Sequence, residues 1–468
     1  MRATQSKTSV NIRASQSSPC YNPHTLKVSS TFLLIHLFLY FQQLFYYFCL
    51  KFLNVDNQIY DVAIIGGGIV GAATFYKLQK RNPNLNIILI EKEDKFADHQ
   101  TGNNSGVIHS GLYYTPGSLK AENCVKGRRE LVEFAKENNV PHDVCGKVVV
   151  ATRKEELPFL DKIFNNGIEN GIEGIQKIDA KQIKEHEPHV EGIAGIWVPV
   201  TGIIDYRIAT EKMIERAKEF NSKSKTVLGE EVIGVEKSEE GTVVVGATQK
   251  FKAKHLVFCA GLQADRLARK DGVDLKEQVV GFRGDYYELT EQAKYKVKNL
   301  IYPVPNPDFP FLGVHFTRMT DGEIECGPNA VFTFKREGYG KTDFSWKDSW
   351  DALTYKGTWK LFFSNIKFGI NEYRRAFSKK LFLKTLQGLI PSLTMDDIKP
   401  GRSGVRALLL GTDGDTRDDF RIEYHGHSIH VLNAPSPAAT ASLAIGDYIA
   451  DEAEKHFSLK NEKVTSDE

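Results

Sequence analysis

The chain has 468 residues, of which 41% are hydrophobic, and its 61 basic and 59 acidic residues leave a formal net charge of +2. This length and composition allow large buried cores in two or three domains, and the near balance of charge argues against a nucleic acid as partner. The six cysteines are widely spaced and include no Cys-x-x-Cys pair, which argues against a disulfide framework or a zinc site, and we predict no metal.

Residues 1–58 differ from the rest of the chain. Positions 1–55 contain no aspartate or glutamate, five lysines and arginines, and many serines and threonines, as is typical of a mitochondrial transit peptide. Residues 32–50 add an apolar run that reaches the length of a membrane span, although a histidine and two glutamines interrupt it. The segment is therefore predicted to be a cleaved leader, a membrane anchor or a non-native extension from a mistaken start.

The first predicted element of the body is a strand that ends in a glycine-rich turn. An apolar run at residues 60–65 leads into four glycines, which are Gly66, Gly67, Gly68 and Gly71. A predicted helix follows, and then a second apolar run at residues 87–90 that ends in the acid Glu91. Such glycines permit a tight turn, approach of the backbone to a pyrophosphate and close helix packing, and the acid accepts hydrogen bonds from a ribose. Amide groups at the helix N-terminus donate to the phosphates. The sequence therefore predicts a dinucleotide site.

Two further segments are predicted to lie against the nucleotide. The loop at residues 99–111 has no strong periodicity and is rich in small and hydrogen-bonding residues, which is typical of backbone that contacts a ligand. We assign four of its residues to the cofactor: Thr101, Asn104, Ser105 and Gly106. Later in the chain, the apolar strand at 255–261 ends at Ala260 and Gly261, where the backbone can again approach a nucleotide.

Beyond residue 119, predicted helices and strands alternate. In chain order they are a helix at 120–138, a strand at 147–152, a helix at 154–170, a strand and turn at 197–205, a helix at 207–220, a hairpin at 232–245, a strand at 255–261, a β-rich region at 279–334, a polar helical stretch at 346–389, a strand at 429–433 and a helix at 438–454. We therefore predict an α/β fold in which the chain leaves a Rossmann-like nucleotide domain, builds a second domain with a mixed sheet and a helical portion, and returns. The nucleotide domain would comprise residues 59–146, 201–276 and 401–455, the second domain residues 147–200 and 277–400, and the tail residues 456–468.

Several segments of the chain carry a family resemblance: residues 60–91, the loop that holds His109, 258–265 and 433–438. Together they resemble the FAD-dependent oxidoreductases of the D-amino acid oxidase and glycerol-3-phosphate dehydrogenase superfamily. Longer motifs make the chain similar, over residues 59–455, to the L-2-hydroxyglutarate dehydrogenase family within it: residues 99–114, 282–287, 315–318, 325–330 and 404–407.

This resemblance implies a function and a location. It implies a noncovalently bound FAD, oxidation of L-2-hydroxyglutarate to 2-oxoglutarate, and transfer of the electrons to a membrane acceptor, with a quinone as the expected one. It also implies a mitochondrial protein associated with the inner membrane, in agreement with the acid-free N-terminal segment. Val232, at the start of the predicted hairpin, and Ser436, after the last strand, complete the residues that we assign to FAD.

Two histidines are candidate catalytic residues. Oxidation of a 2-hydroxy acid requires hydride transfer from C2 to the flavin and a base that takes the hydroxyl proton. Histidine suits this role because its pKa lies near neutral pH. His109 lies in the loop expected over the flavin and His315 in the second domain, and for each the alternative is a structural role.

Arginines and a tyrosine are the candidates for binding the substrate. A planar guanidinium binds a carboxylate with two parallel hydrogen bonds, and the candidates are Arg283, Arg318, Arg402 and Arg406. We favour Arg283 and Arg318 because they lie in family-like, β-rich segments, whereas a surface ion pair is the alternative for each. Tyr286 and Tyr287 alternate on one strand, so that one faces the core and the other the substrate. We assign Arg283, Tyr287, Arg318 and Arg406 to the substrate.

The helical stretch at 346–389 has two open interpretations. It combines lysines and arginines with tryptophans and phenylalanines. A solvated helical face with aromatic packing explains this composition, and so does a patch that binds a membrane surface, where these residue types are favourable.

Two other functions fit the same residues. One is an FAD oxidase of another small 2-hydroxy or 2-amino acid, whose turnover would form peroxide. The other is a flavin-bound protein without catalytic activity. Bleaching of the flavin by L-2-hydroxyglutarate, and not by its D isomer, would favour the dehydrogenase over both.

Overall fold

The computed structural model describes residues 53–238, 241–305 and 313–459. Most of the predicted leader or anchor, and most of the predicted tail, therefore lie outside the described residues. Within the described ranges, no helix combines the length and the apolar character that crossing a membrane requires.

Strands and helices are numbered in chain order over the described residues. The strands are β1 (Asn54–Ile65), β2 (Ile87–Ile90), β3 (Val107–Ile108), β4 (His142–Asp143), β5 (Lys147–Ala151), β6 (Gln176–Asp179), β7 (Ala194–Val198), β8 (Gly202–Ile204), β9 (Lys225–Val227), β10 (Val232–Ser238), β11 (Gly241–Gly246), β12 (Gln249–Phe258), β13 (Gln278–Leu289), β14 (Leu300–Pro303), β15 (His315–Arg318), β16 (Ile324–Gly327), β17 (Val331–Phe332), β18 (Ile398–Leu410), β19 (Arg421–His425) and β20 (Ser428–Asn433). The helices are α1 (Ile69–Arg81), α2 (Leu119–Glu137), α3 (Leu157–Glu169), α4 (Ala180–His186), α5 (Tyr206–Phe220), α6 (Ala264–Lys270), α7 (Trp346–Thr354), α8 (Lys356–Ser364), α9 (Ile366–Ala376), α10 (Lys379–Leu386) and α11 (Ser442–His456).

The first sheet is the one predicted from the glycine turn. Its strands run in the order β10-β11-β12-β1-β2-β9, with β20 beside β12 and β19 beside β20. β1 is parallel to β2 and β12, and β2 is parallel to β9. Parallel strands buried on both faces have continuous apolar sequences, which is why the runs at 60–65 and 87–90 could be recognised. The predicted α/β fold is confirmed.

The two faces of β1 belong to different cores because successive side chains on a strand point to opposite faces. Val62 and Ile64 lie in the core that contains residues of α1, α2, α5 and α11. Ala63 and Ile65 lie in the opposite core with Phe258 of β12. α1 begins directly after the glycine turn, so its N-terminus lies at the carboxyl end of β1, where ligands bind in sheets of this type.

The second sheet is mixed, as predicted. Its strands run in the order β17-β13-β16-β15-β14-β5-β7-β6, with β18 beside β13. β5 is parallel to β14 and antiparallel to β7. Phe382 and Leu386 of α10 pack with Phe316 and Leu289 of this sheet in one core. The predicted helical stretch is four helices, α7 to α10. A third, small sheet has the order β3-β8-β4.

One predicted domain boundary differs from the structure. The third segment of the nucleotide domain was expected to begin at residue 401, but β18 pairs with β13 from Ile398, opposite Leu289, to Leu410, opposite Gln278. Residues 401–410 therefore belong to the second sheet, and the chain returns to the first sheet at β19. The boundary was missed because the first half of β18 lacks the apolar alternation that marks a strand.

Candidate active site

A cavity of about 740 Å³ is lined by residues of both large sheets. The first sheet contributes the glycine turn after β1 and the ends of β12 and β20, and the second contributes residues of β13, β14, β15 and β18. Residues of the loop at 97–109 also line it. The volume is in the range of roughly 300–1,000 Å³ that is usual for cofactor and ligand sites.

At the glycine turn, the backbone of the turn lies close to the end of β12 and to the first turn of α1. Gly66 has a φ of +111°, and a Cβ at this position would clash with the carbonyl oxygen of Cys259. A Cβ on Gly71 would clash in turn with the carbonyl oxygen of Gly66. Only glycine allows α1 and the end of β12 to approach the turn this closely.

Glu91 and Thr101 hold the glycine turn and also line the cavity. Glu91 Oε2 accepts a hydrogen bond from the backbone N–H of Gly67 at 2.7 Å, and Glu91 Oε1 accepts one from the N–H of Glu93 at 3.0 Å. Thr101 Oγ1 accepts from the N–H of Ile69 at 3.0 Å, in the first turn of α1. Each oxygen has further lone pairs for a ligand.

The structure brings most of the predicted cofactor-binding residues to this cavity. Those that line it are Gly66, Gly68, Glu91, Thr101, Asn104, Ser105, Val232, Ala260, Gly261 and Ser436. Gly67, Gly71 and Gly106 do not line it, and they shape the backbone around it. Gly106, for example, has a φ of +62°, and its N–H donates to Asn104 Oδ1 at 2.8 Å.

Both predicted catalytic histidines line the cavity, in a group that we call the histidine cluster: His109, His315, Tyr113, Tyr302 and Arg406. The ring of His315 stacks on that of Tyr302, with centroids 4.0 Å apart. His315 Nδ1 donates to the carbonyl oxygen of Gly313 at 2.9 Å. Because a carbonyl only accepts, Nδ1 carries the proton and Nε2 is the nitrogen that can accept one.

The two histidines are held neutral. Burial, with the charges of Lys147 and Arg406 and the neighbouring His315, lowers the pKa of His109 to about 3. Burial and the charges of the same two cations lower the pKa of His315 to about 3, although the hydrogen bond to Gly313 opposes this shift. Each ring is therefore uncharged at neutral pH, and its unprotonated nitrogen is a hydrogen-bond acceptor. The cations around them favour an anionic ligand.

Sequence reasoning missed the lysine that opens β5. Lys147 is 1% exposed, and its Nζ lies 4.7 Å from the ring centroid of Tyr113 and 4.8 Å from that of Tyr302. Burial lowers the pKa of Lys147 to about 7. The available signal was a lysine at the start of an otherwise apolar strand, since lysines are rarely buried.

Two of the predicted substrate-binding arginines do not line the cavity. Arg283 is buried, and its guanidinium donates to Asp285 at 2.7 Å and to the carbonyl oxygen of Gly340. Arg318 pairs with Asp143 at a partly exposed position. The guanidinium groups of both arginines are engaged within the protein, so the assignments of Arg283 and Arg318 to the substrate are corrected.

Arg406 and Arg402, both on β18, have different positions. Arg406 lines the cavity and acts on both histidines. Arg402 instead donates to the carbonyl oxygen of Gly102 at 3.1 Å and to that of Asn104 at 2.7 Å. It therefore holds the loop at 99–111 against the second sheet.

Tyr286, and not Tyr287, faces the cavity. The ring of Tyr287 lies 4.6 Å from that of Phe382 in the core between the second sheet and α10. The tyrosine at the cavity is therefore Tyr286 and not Tyr287, which was predicted to face the substrate. Strand alternation requires that the two tyrosines point to opposite faces, but it does not say which face meets the ligand.

A second polar group borders the cavity at Glu93, His99 and Glu337, whose potential metal-ligating atoms lie within 4.8 Å of one another. The ammonium of Lys92 occupies this group: its Nζ donates to His99 Nε2 at 2.9 Å and to Glu337 at 2.9 Å, and it also pairs with Glu93. The arrangement is an ion-pair network in which a lysine takes the place of a metal.

Comparison with known proteins gives consistent results. A family model described as FAD dependent oxidoreductase matches residues 61–452. An L-2-hydroxyglutarate dehydrogenase of Indibacter alkaliphilus is 47% identical over 401 residues, which cover 85% of this chain and 100% of that protein. The mitochondrial L-2-hydroxyglutarate dehydrogenase of Homo sapiens is 42% identical over 424 residues, which cover 87% of this chain and 91% of that protein. Among solved structures, an L-alpha-glycerophosphate oxidase from Mycoplasma pneumoniae with FAD bound has a TM-score of 0.69 at 24% identity, over 86% of this chain and 96% of that one, and so shares the fold.

Proposed function

The chain belongs to the FAD dependent oxidoreductase family and, within it, to the L-2-hydroxyglutarate dehydrogenases, and from this we propose that it oxidises L-2-hydroxyglutarate to 2-oxoglutarate and passes the electrons to a membrane acceptor. FAD is its cofactor. The observation that carries the proposed substrate is the charge around the histidine cluster. Two neutral histidines interact electrostatically with Lys147 and Arg406. Two basic side chains beside two histidines suit a substrate that has two carboxylates and one hydroxyl.

The glycine turn and the residues around it fit FAD. Gly66 and Gly71 leave no room for a side chain, α1 directs its N-terminus toward the cavity, and Glu91 retains lone pairs beyond those that it gives to Gly67 and Glu93. We assign the pyrophosphate to the turn and the helix N-terminus, and the ribose to Glu91. When bound, FAD supplies the acceptor for the electron pair that leaves C2 of the substrate.

The tautomer of His315 supports giving it the role of proton acceptor. Its Nε2 carries the lone pair because Nδ1 donates to Gly313. The low pKa of His315 is caused by burial and by the cations Arg406 and Lys147. Bound carboxylates offset these two charges and so raise the pKa of His315, although burial, the largest cause of the low pKa, remains. His315 then takes the hydroxyl proton, and His109, in the same cluster, is the second candidate for this step.

An exposed set of aromatic and apolar side chains supports the membrane acceptor. We call it the aromatic face, and its members on α7, α8 and α9 are Trp346, Trp350, Trp359, Phe363, Ile366 and Ile370. Trp346 is 82% exposed and Phe363 69%. The same helices carry Lys347, Lys356, Lys360 and Lys367. Tryptophan and phenylalanine next to lysine favour the surface of an anionic membrane, and large exposed apolar patches are uncommon on soluble monomers.

The names of eukaryotic relatives support a mitochondrial location. The relatives from Homo sapiens and Bos taurus are both named mitochondrial. The absence of aspartate and glutamate from positions 1–55 of this chain is the composition expected of a transit peptide. We place the protein at the inner membrane, with the aromatic face as its contact.

Turnover of the purified, FAD-loaded protein tests the proposal. With L-2-hydroxyglutarate and a soluble quinone in the absence of oxygen, we expect one 2-oxoglutarate for each quinone reduced. With oxygen as the only acceptor, we expect little peroxide. Rapid peroxide formation from another hydroxy or amino acid, without 2-oxoglutarate, would identify an oxidase. Failure of every hydroxy and amino acid to reduce the flavin would indicate a protein without catalytic activity.

A further inference from the structure

The environment of Lys147 is unusual for a lysine. The side chain is 1% exposed, and its Nζ lies over the rings of Tyr113 and Tyr302 at 4.7 and 4.8 Å from their centroids. Among the described residues, the ion pairs of the protein include none to Lys147. Contacts with aromatic faces offset only part of the cost of burying an ammonium group. In its protonated form Lys147 therefore has no carboxylate partner among the residues that the structure describes.

The two tyrosines beside Lys147 also lack partners within the described part of the chain. There, the hydroxyl oxygens of Tyr113 and Tyr302 are buried and make no hydrogen bond of normal geometry, and the same holds for the Thr317 hydroxyl next to Tyr302. Burial raises the pKa of both tyrosines, so the hydroxyls stay protonated and are donors at neutral pH. Buried polar groups in native proteins nearly always have partners, and each exception requires an explanation.

Tyr113 and Tyr302 line the cavity, and Tyr302 stacks on His315. Lys147 does not line the cavity itself, but its Nζ lies over the rings of these two lining tyrosines. Two hydroxyl donors without acceptors and one ammonium without an anion are the groups that bind a carboxylate. Among the described residues, the other titratable groups that interact electrostatically with Lys147 are His109, His315 and Cys124. At neutral pH they supply no negative charge, because burial raises the pKa of Cys124 to about 12 and both histidines are neutral.

We propose that Tyr113, Tyr302 and Lys147 form a carboxylate-binding subsite, which takes one of the two carboxylates of a dicarboxylate substrate and thereby selects it over a monocarboxylate. The inference rests on the proposed function, and it assigns the other carboxylate to Arg406, which lines the cavity. The bound carboxylate accepts from the two hydroxyls and neutralises the ammonium. Binding is then coupled to the protonation of Lys147, since only the charged amine attracts the anion.

Binding of two inert acids to the FAD-loaded protein tests the subsite. Glutarate has two carboxylates and pentanoate has one on a chain of the same length, and neither has a hydroxyl to oxidise. Changes in the flavin absorbance on titration give both dissociation constants. We expect Lys147→Met to lower the preference for glutarate over pentanoate by at least tenfold, and Tyr113→Phe and Tyr302→Phe to lower it severalfold. The phenylalanine variants lose only a hydroxyl, so they report on the subsite even if Lys147→Met does not fold.

A matched control is Lys177→Met on β6 of the same sheet. Lys177 also lies over an aromatic ring, 5.0 Å from the centroid of Phe164, but it is exposed and pairs with Asp161 at 2.7 Å. We expect this variant to keep the preference of the wild type. We also expect the dissociation constant of glutarate to rise about tenfold per pH unit above about pH 7 in the wild type, and to stay constant in Lys147→Met.

Two results would overturn the subsite. One is an unchanged preference for glutarate in Lys147→Met and in both phenylalanine variants. The other is unchanged binding of both acids together with slow flavin reduction in Lys147→Met, which would make Lys147 a participant in proton transfer. Failure of the subsite proposal can be distinguished from failure of the proposed function by measuring the wild-type protein. If L-2-hydroxyglutarate reduces the flavin of the wild type, the proposed function is supported whatever the variants do.

Discussion

At the scale of single residues, Gly71 gives a direct test of the cofactor site. Gly71→Ala places a Cβ against the carbonyl oxygen of Gly66 and near the Cβ of Cys259, which displaces the turn. We expect a loss of about 1–3 kcal/mol in unfolding free energy and a severalfold lower ratio of flavin to protein absorbance after purification. Gly369→Ala on α9 is the control, since its Cβ would meet no atom within 4 Å, and it should keep the full flavin content. A full flavin content in Gly71→Ala would contradict the assignment of the turn.

The histidines are distinguished by the rate of flavin reduction. Asparagine keeps hydrogen-bonding capacity but cannot take the proton, so His315→Asn should lower the rate of reduction by L-2-hydroxyglutarate by about 10²- to 10⁴-fold, with unchanged flavin content. His109→Asn should lower it much less. Stopped-flow absorbance measures both rates. The reverse order of the two variants would transfer the proton acceptor's role to His109.

The arginines differ in their expected effect on KM. Arg406 lines the cavity, so Arg406→Met should raise KM by about 10- to 100-fold, the loss expected for a hydrogen bond to a charged group. Arg318 pairs with Asp143 instead, and Arg318→Met should leave KM within about twofold because exposed ion pairs contribute little. Steady-state kinetics with a soluble acceptor measures both. A large rise in KM for Arg318→Met would restore the interpretation made from the sequence alone.

The sequence predicted residue types at the site better than their contacts. Gly66, Glu91 and His315 were predicted because glycine turns, strand-terminal acids and histidines carry their own signals, and all three line the cavity. Lys147 was missed, and Tyr287 was chosen where Tyr286 lines the cavity, because burial and the facing of a strand depend on residues distant in the chain. Tyr302 meets Lys147 and His315 only through the pairing of β14 with β5 and β15, which no local pattern predicts.

At the scale of elements, the aromatic face predicts membrane binding. Replacing Trp346, Trp350 and Phe363 by serine removes three exposed apolar side chains from α7 and α8. We expect this triple variant to lose co-sedimentation with anionic lipid vesicles, by about tenfold or more in the bound to free ratio. Activity with a soluble quinone should be unchanged, since these residues do not line the cavity.

A control for that experiment is available on α3. Phe159 and Ile168 are exposed apolar residues of this helix, and their replacement by serine should leave vesicle binding as in the wild type. Equal loss of binding in both variants would point to general exposed hydrophobicity. Failure of the wild-type protein to bind vesicles would remove the aromatic face as a membrane contact.

The elements differ in how well the sequence predicts them. β2 was predicted at residues 87–90, as it lies in the structure, because a buried parallel strand is a continuous apolar run. β18 was placed in the wrong domain because its pairing with β13, and not its own composition, makes it a strand. The helical stretch was predicted as one unit, whereas it is divided at Tyr355, Asn365 and Phe377 into four helices.

At the scale of the whole molecule, the buried lysine and histidines predict how stability depends on pH. His109 and His315 have a lowered pKa in the folded state, so the unfolded chain binds more protons between about pH 3 and 6.5, and the free energy of unfolding falls as the pH falls through that range. Lys147 has a lowered pKa of about 7. Its contribution therefore makes stability rise with pH from about 7 to 10.5.

Lys147→Met isolates the contribution of the lysine. Without a buried charge, the variant should be more stable than the wild type, with a Tm a few degrees higher below pH 7. The difference should shrink as the pH rises from 7 to 10. Thermal unfolding of both FAD-loaded proteins across this range measures it. A difference that does not change with pH would show that Lys147 is neutral or paired in the folded protein.

We expect this protein to use FAD to oxidise L-2-hydroxyglutarate. To test this directly, L-2-hydroxyglutarate is added to the FAD-loaded protein without oxygen and the visible absorbance of the oxidised flavin is followed. We predict complete bleaching by the L isomer, the appearance of one 2-oxoglutarate per flavin, and no bleaching by the D isomer. A flavin that stays oxidised with the L isomer, or that another hydroxy or amino acid bleaches in its place, would contradict the account.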